Sequence, residues 1–206
     1  MATRTRRTQE ERTTETRTAL LNGAIEAVFR LGYAGATTPL IADEAGVSRG
    51  ALTHHFESRA DLMASVVTWV YEREVEQYAS LTTGGDRGSR LSDWPELLWE
   101  VLSKPSGLAV LEILQATRSD ADLAERVKPV QLAIEQASLE AVKGRFGGDE
   151  RTRHAIVRLL VWAIRGLTIE RVLVSNPEVV RDSVDMLRVL FERFAPDGAI
   201  EDFVLD

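Results

Sequence analysis

The segment Arg49–His55, RGALTHH, holds the side chains best suited to meet a polar partner. Arg49 is a forked cation that can bond guanine O6 and N7 together, the commonest specific contact to a base edge. Thr53 offers a hydroxyl or a methyl, Ala51 a methyl suited to thymine, and His54 a ring that can reach a base or a phosphate. Leu52 is the one clear inward anchor. A helix this short cannot stand alone. One that keeps small and polar groups outward is suited to entering a DNA groove with its N-terminal residues.

Metal and catalytic chemistry are not expected. The histidines are His54, His55 and His154, and the chain has no cysteine. Neighbouring helical residues point about 100° apart, so His54 and His55 make a poor chelating pair. No phosphate-binding glycine loop, nucleophile elbow or paired-carboxylate motif occurs, so no catalytic residue and no cofactor is expected.

The elements that must position the 49–55 segment are legible around it. Residues 37–61 read as two short helices joined by a tight turn, then the start of a third. Thr38 is expected to cap the first, with Pro39 in its opening turn. Ile41, Ala42 and Ala45 give it an apolar face, and Gly46 ends it because glycine adopts positive φ without steric cost. Ser48 caps the second helix, and Ser58 with Asp61 forms a capping box for the next.

The remainder predicts helices throughout, about nine in all. The first spans 13–31, where Gly32 stops it. The fourth runs to about residue 81. A glycine-rich loop, 82–92, is expected to be mobile. An Asp93-x-x-Glu96 box opens the fifth helix and Pro105 the sixth, which ends near 118. The seventh covers 120–146 with a kink at Pro129, the eighth 149–175, and the ninth 178–194 after Asn176-Pro177. The tail 195–206 is expected to be irregular.

Residues 31–62, LGYAGATTPLIADEAGVSRGALTHHFESRADL, resemble the N-terminal domain of the tetracycline-repressor (TetR) family of bacterial transcription regulators. The matching pieces are Gly32-Tyr33, Thr37-Thr38, Ile41-Ala42, Ala45-Gly46-Val47-Ser48, Gly50-Ala51-Leu52, His55-Phe56 and Ser58 before Asp61-Leu62. The resemblance implies an all-α protein. Residues 1–57 would be a three-helix, helix-turn-helix DNA-binding domain with a basic arm. Residues 58–206 would be a larger helical domain for effector binding and dimerisation. Carried over by position, the DNA-binding residues would be Thr38, Ser48, Arg49, Gly50, Ala51, Thr53, His54, His55 and Arg59, with Thr38, His55 and Arg59 on phosphates. The family commonly has tyrosine where Thr53 stands and lysine where Arg59 stands. Some members place a base-reading arginine where Pro39 stands.

The charge distribution is compatible with that reading although the net charge of −7 is not favourable in itself. Residues 1–61 hold 8 basic and 8 acidic groups, so the whole excess of negative charge lies beyond them. Phosphate attraction is expected from the arm bearing Arg4, Arg6 and Arg7, from Arg49 and Arg59, and from helix N-termini. The opening residues lack an apolar stretch, so no signal peptide is expected. The stretch 155–174 is interrupted by Arg158, Arg165, Glu170 and Arg171, so no membrane span is expected.

In the second half, Trp94, Leu98, Trp99, Leu102, Leu111, Leu114 and Trp162 are candidates to line a pocket, and Gln115, Arg118 and Arg165 to orient a ligand. Taken singly, the aromatics read as core and the polar groups as surface; the pocket is what the resemblance implies. On the ninth helix Val180, Val184, Leu187, Phe191 and Phe194 form one stripe, widened by Val179, Met186 and Leu190. The eighth carries Ile156, Leu159, Leu160, Ala163, Leu167 and Val174, with Gly166 permitting a close crossing. The family dimerises through its last two long helices.

The function expected is a homodimeric, sequence-specific regulator of transcription that binds double-stranded DNA. It would be a repressor released from a palindromic operator by a small, partly apolar effector. The expected place is the bacterial cytoplasm, at the nucleoid when bound. A constitutive helical DNA-binding protein without ligand is the alternative, and a helical enzyme is disfavoured by the missing catalytic constellation.

Overall fold

A computed structural model of the chain describes residues 9–200. Among them are nine α-helices, one short 3-10 turn and no strand. The helices are α1 (Gln9–Gly35), α2 (Thr38–Glu44), α3 (Arg49–His55), α4 (Arg59–Thr82), α5 (Trp94–Leu102), α6 (Pro105–Ala116), α7 (Ala121–Phe146), α8 (Glu150–Leu173) and α9 (Pro177–Phe194). The basic arm at Arg4, Arg6 and Arg7 lies outside the described residues, as do residues 201–206 of the tail.

Helix α1 starts earlier than its threonine content predicts. Thr13 and Thr16 donate their hydroxyls to Gln9 O and Arg12 O at 2.9 and 2.8 Å, so the extra polar groups are satisfied within the helix. Gly32 does interrupt it, at φ 70° and ψ 168°, and one further turn follows.

The cap of α2 is Thr37, not Thr38. Thr37 is extended at φ −76° and ψ 154°, and its carbonyl accepts the first helical bond, from Ile41 N at 2.9 Å. Thr38 is already inside the helix. The turn after α2 closes as a Schellman motif: Gly46 N donates to Asp43 O (3.1 Å) and Val47 N to Ala42 O (3.0 Å), with Gly46 at φ 66°. A Cβ at Gly46 would meet nothing within 4 Å, so a side chain there is opposed by the backbone angle alone. Gly46→Val is expected to lower stability by about 1–2 kcal/mol, read as a shift of the urea midpoint; an unshifted midpoint would mean the turn relaxes to negative φ.

Ser48 Oγ accepts from Ala51 N (3.2 Å) and so starts α3, while Ser58 Oγ accepts from Asp61 N (3.0 Å) and starts α4. The return bond of the α4 box is displaced by one residue, because Asp61 accepts from Glu57 N rather than Ser58 N, at 3.0 Å. The Asp93 box is a correction. Asp93 accepts from Gly88 N (2.9 Å) and Arg90 N (3.1 Å), closing the turn Leu91–Asp93, and α5 opens instead on Trp94 and Pro95. Asp120, Asp149 and Asn176 cap α7, α8 and α9, and α7 continues as one helix through Pro129.

Two apolar clusters hold the chain together. The first joins Leu20, Leu21, Ala24 and Val28 of α1, Ile41 of α2, Leu52 of α3 and the first half of α4 to Val110 and Ile113 of α6 and Leu123 and Val127 of α7. The second gathers Leu98, Leu102, Phe146, Ile156, Leu160, Ile164, Val184, Phe191, Ala195 and Ile200. Helix α4 is long enough to serve both, since Tyr78 near its end packs on the second. The glycine-rich loop after α4 is tied at its end rather than free: Trp94 Nε1 and Arg145 Nη1 both donate to Gly88 O, at 3.2 and 3.0 Å, and Leu91 N donates to Gly198 O at 3.1 Å.

Candidate nucleic-acid interface

Leu52, buried against α1 and α2, is the pin that turns the rest of α3 outward. With it inside, Arg49, Gly50, Thr53 and His54 are exposed and Ala51 is half-buried. Arg49 stands at the first position of the helix, one residue after its Ser48 cap. Thr53 donates its hydroxyl to the carbonyls of Arg49 (3.3 Å) and Gly50 (3.1 Å), so what it presents outward is a methyl and an acceptor. His54 and His55 meet edge to face at 5.6 Å and diverge, as their spacing requires. Burial first, then the charges of His54 and Arg17, hold the His55 imidazole below its ordinary pKa. Thr38 is half-buried and Ser48 exposed.

Arg59 sits differently from its expected phosphate position. Its Nε donates to Ala36 O at 3.0 Å, its Nη2 donates to Tyr33 O, and its guanidinium lies 3.9 Å from the Tyr33 ring centroid. It therefore clamps the end of α1, where the Tyr33 and Ala36 carbonyls have no helical partner because the helix stops at Gly35. Arg17 is a cation that sequence reasoning passed over. It is exposed on α1, 4.6 Å from the Phe56 ring, and close enough to His55 to act on its charge.

A second group ties this head to the later helices. Tyr33 OH donates to Asp120 Oδ2 at 2.6 Å and Tyr33 N to Glu112 Oε2 at 3.4 Å. Burial, and next the Asp120 bond, push the Tyr33 phenol up to about 12. The same bond holds the Asp120 carboxyl below the usual carboxylate range. A phenol raised on folding adds stability below its unfolded value of about 10 and loses it as pH climbs from about 10 to about 12. An alkaline absorbance titration should show a phenol ionising near 12 that vanishes in Tyr33→Phe; ionisation of this group near 10 in the folded protein would refute the tether.

A family model described as "Bacterial regulatory proteins, tetR family" matches residues 20–66, which span α2, α3 and the adjoining parts of α1 and α4. Rv2912c, an HTH-type transcriptional regulator of Mycobacterium tuberculosis, is 30% identical over 190 residues, covering 89% of this chain and 96% of its own. The chain belongs to the TetR family. It is an HTH-type, DNA-binding transcriptional regulator, from a family of regulators rather than of enzymes. CymR of Pseudomonas putida is 40% identical over 72 residues, 35% of this chain and 36% of that one. Among solved structures, a TetR transcription regulator from Haloarcula marismortui superposes with a TM-score of 0.63 at 19% identity, covering 90% of this chain and 98% of its own. The multidrug binding protein EbrR complexed with malachite green gives 0.58 at 23% identity, over 85% and 97%. Among the described residues no helix is long and apolar enough to cross a membrane.

The second half of this TetR-family chain separates the residues expected to line a pocket. Trp94, Leu98, Trp99 and Leu102 do meet, in the second apolar cluster, and the Trp94 ring lies 5.7 Å from Tyr78. Arg165 is buried on α8. Leu111 is buried on α6, while Leu114 packs against the first cluster. Gln115 and Arg118 are exposed where α6 ends, and Trp162 is 52% exposed, so these three line no interior. The cause for Trp162 is helical phase: Leu159, Trp162, Ile169 and Leu173 share one outward stripe of α8, with Gly166 at its centre and nothing within 4 Å of its would-be Cβ. On α9, Val180, Val184 and Phe191 face inward with Leu187, whereas Val179, Met186, Leu190 and Phe194 are exposed. Phe194 thus separates from the stripe it was grouped with and stands on the outer face.

Proposed function

We propose that the chain acts as a homodimeric repressor of a palindromic operator and is released from it by a small, partly apolar effector. In this reading residues 1–57 form the reading head and residues 58–206 the effector-binding and dimerisation part. The observation that carries it is the outer face of α3, where Arg49 leads a run of exposed small and polar residues over the single buried anchor Leu52. Arg49, Gly50, Ala51, Thr53 and His54 would face base edges. Thr38, Ser48, His55 and the missed Arg17 would face the backbone. Two exposed apolar stripes, on α8 and α9, support a second copy of the chain as partner, because apolar residues exposed together along a helix face mark surfaces that meet another protein. The EbrR complex with malachite green supports the effector half of the reading by its fold.

Footprinting on genomic fragments tests it. The expected result is protection of two inverted half-sites about one helical turn apart, with affinity falling steeply as salt rises. Protection of one asymmetric half-site, or a salt slope near zero, would defeat the operator reading. A melting screen against a broad compound library separates an effector-responsive protein from a constitutive DNA binder. A compound at about a hundred times its Kd stabilises by about 2.7 kcal/mol.

A further inference from the structure

We propose that the cleft between α1, α4 and the start of α6 binds a small organic anion, a carboxylate or phosphate carried on an apolar body. The cleft has a volume of about 380 Å³, within the range of about 300–1,000 Å³ that small-molecule sites occupy. Arg73 of α4 and Lys104, the residue that leads into α6, stand on its walls. Among the described residues no acidic side chain lines it. Neither cation has an ion-pair partner among the described residues, in a chain whose net charge is −7. The proposal stands on this cleft and does not depend on the effector reading above, because none of Trp94, Leu98, Trp99 and Leu102 lines it.

Both cations are oriented without being neutralised. The Arg73 guanidinium lies 4.0 Å from the Trp69 ring centroid, and that stacking engages its face while its edge keeps its N–H donors. Lys104 Nζ donates to Gln77 Oε1, which also lines the cleft, and the ammonium has further N–H groups to give. A carboxylate or phosphate has oxygens enough to accept from a fork and an ammonium together. Ile25, Val70 and Pro105 supply apolar lining, so an inorganic ion would leave part of the cleft unmatched. A cationic ligand is repelled by both walls. The cleft is apart from the α3 face, since Arg73 lies about 21 Å along α4 from Arg59 at about 1.5 Å per residue. Its occupant would touch α1, which packs with α2 and α3, together with α4 and α6.

The test uses the full chain and four probes of similar size: para-fluorobenzoate, para-fluorophenyl phosphate, para-fluorobenzyl alcohol and para-fluorobenzylammonium. Inorganic phosphate serves as competitor. Binding is followed by fluorine NMR line broadening at low salt, and folding of each variant by its melt. Wild type is expected to bind the benzoate, the aryl phosphate or both about tenfold more tightly than the alcohol or the ammonium. The ratio between the two anions then tells which head group the cleft prefers. Arg73→Met and Lys104→Met should each weaken the anions by about tenfold or more, the loss of a charge-assisted hydrogen bond. Both side chains are exposed, so these variants should melt near wild type. Arg73→Glu combined with Lys104→Glu should turn the preference to the ammonium, which a merely structural role would not do. Lys128→Met, which removes an exposed cation of α7 outside the cleft, should bind every probe as wild type does. The proposal is overturned if neither anion binds, if the alcohol or the ammonium binds wild type as tightly, if Lys128→Met weakens the anions as much as Arg73→Met does, or if Arg73→Met and Lys104→Met change nothing. Inorganic phosphate that displaced the aryl anions at equal concentration would leave the apolar lining without a role and overturn it as well.

Discussion

Ile169→Glu combined with Leu190→Glu is expected to turn a dimer into a monomer and to abolish tight binding to a palindromic site. Both residues are exposed in the single chain, on the outward stripes of α8 and α9, so neither glutamate disturbs the chain's own core. In a dimer formed on those stripes, each charge would be buried without a partner. Stranding even one such charge costs about 3–5 kcal/mol, which is more than a hundredfold in self-association. The loss on DNA is larger than on either half-site alone. A monomer forfeits the effective concentration that links the two heads, about 10²–10⁴ in overall affinity. Sedimentation and a titration on whole and half operators measure both effects. A double variant that still sediments as a dimer would place the interface elsewhere. Leu187→Glu is not an equivalent test, because Leu187 packs inward on the second cluster, and its loss should unfold the chain instead.

Arg49→Ala and Arg59→Ala should fail in different ways although both remove an arginine beside α3. Arg49 is exposed at the start of α3, so its loss should cost about 1–3 kcal/mol on the specific site and relax preference at one base pair. Its melt should match wild type. Arg59 holds the carbonyls of Ala36 and Tyr33 and covers the Tyr33 ring. Its loss should cost about 1.5–3 kcal/mol of folding stability, as a charge-assisted bond does. Specific and non-specific DNA binding should then fall together as the head loosens. Arg59→Lys should not restore the melt, because an ammonium cannot fork between two carbonyls over an aromatic face. If Arg59→Ala melted like wild type while its salt slope dropped by about one, the residue would be a phosphate contact and the clamp would be incidental.

Sequence legibility followed the range of the interaction. The turn at Gly46 and the caps at Ser48 and Asn176 lie where residue type alone predicts them, because each rests on bonds spanning a few residues. The outward character of α3 was equally legible, since one leucine among small and polar residues leaves only one way to pack. The Asp93 box failed because the side chain had a closer competitor, the turn Leu91–Asp93, which is anchored to the tail through Gly198 and so belongs to no local pattern. Tertiary structure decided the roles of the charged groups. Arg59 reads from sequence as a free cation at a helix start, and only the folded end of α1, which presents two open carbonyls and the Tyr33 ring to it, makes it a clamp. Glu74 lies on the spacing of Val66, Val70 and Tyr78, an inward stripe of α4 that sequence inspection could have found. That its carboxyl senses the charge of Arg165 could not be read there, because 91 residues separate them in the chain. The same holds for the two faces of α9. Periodicity groups Phe194 with Phe191 as apolar, but which of them meets the chain's own core and which is left for a partner depends on where α5 and α8 stand.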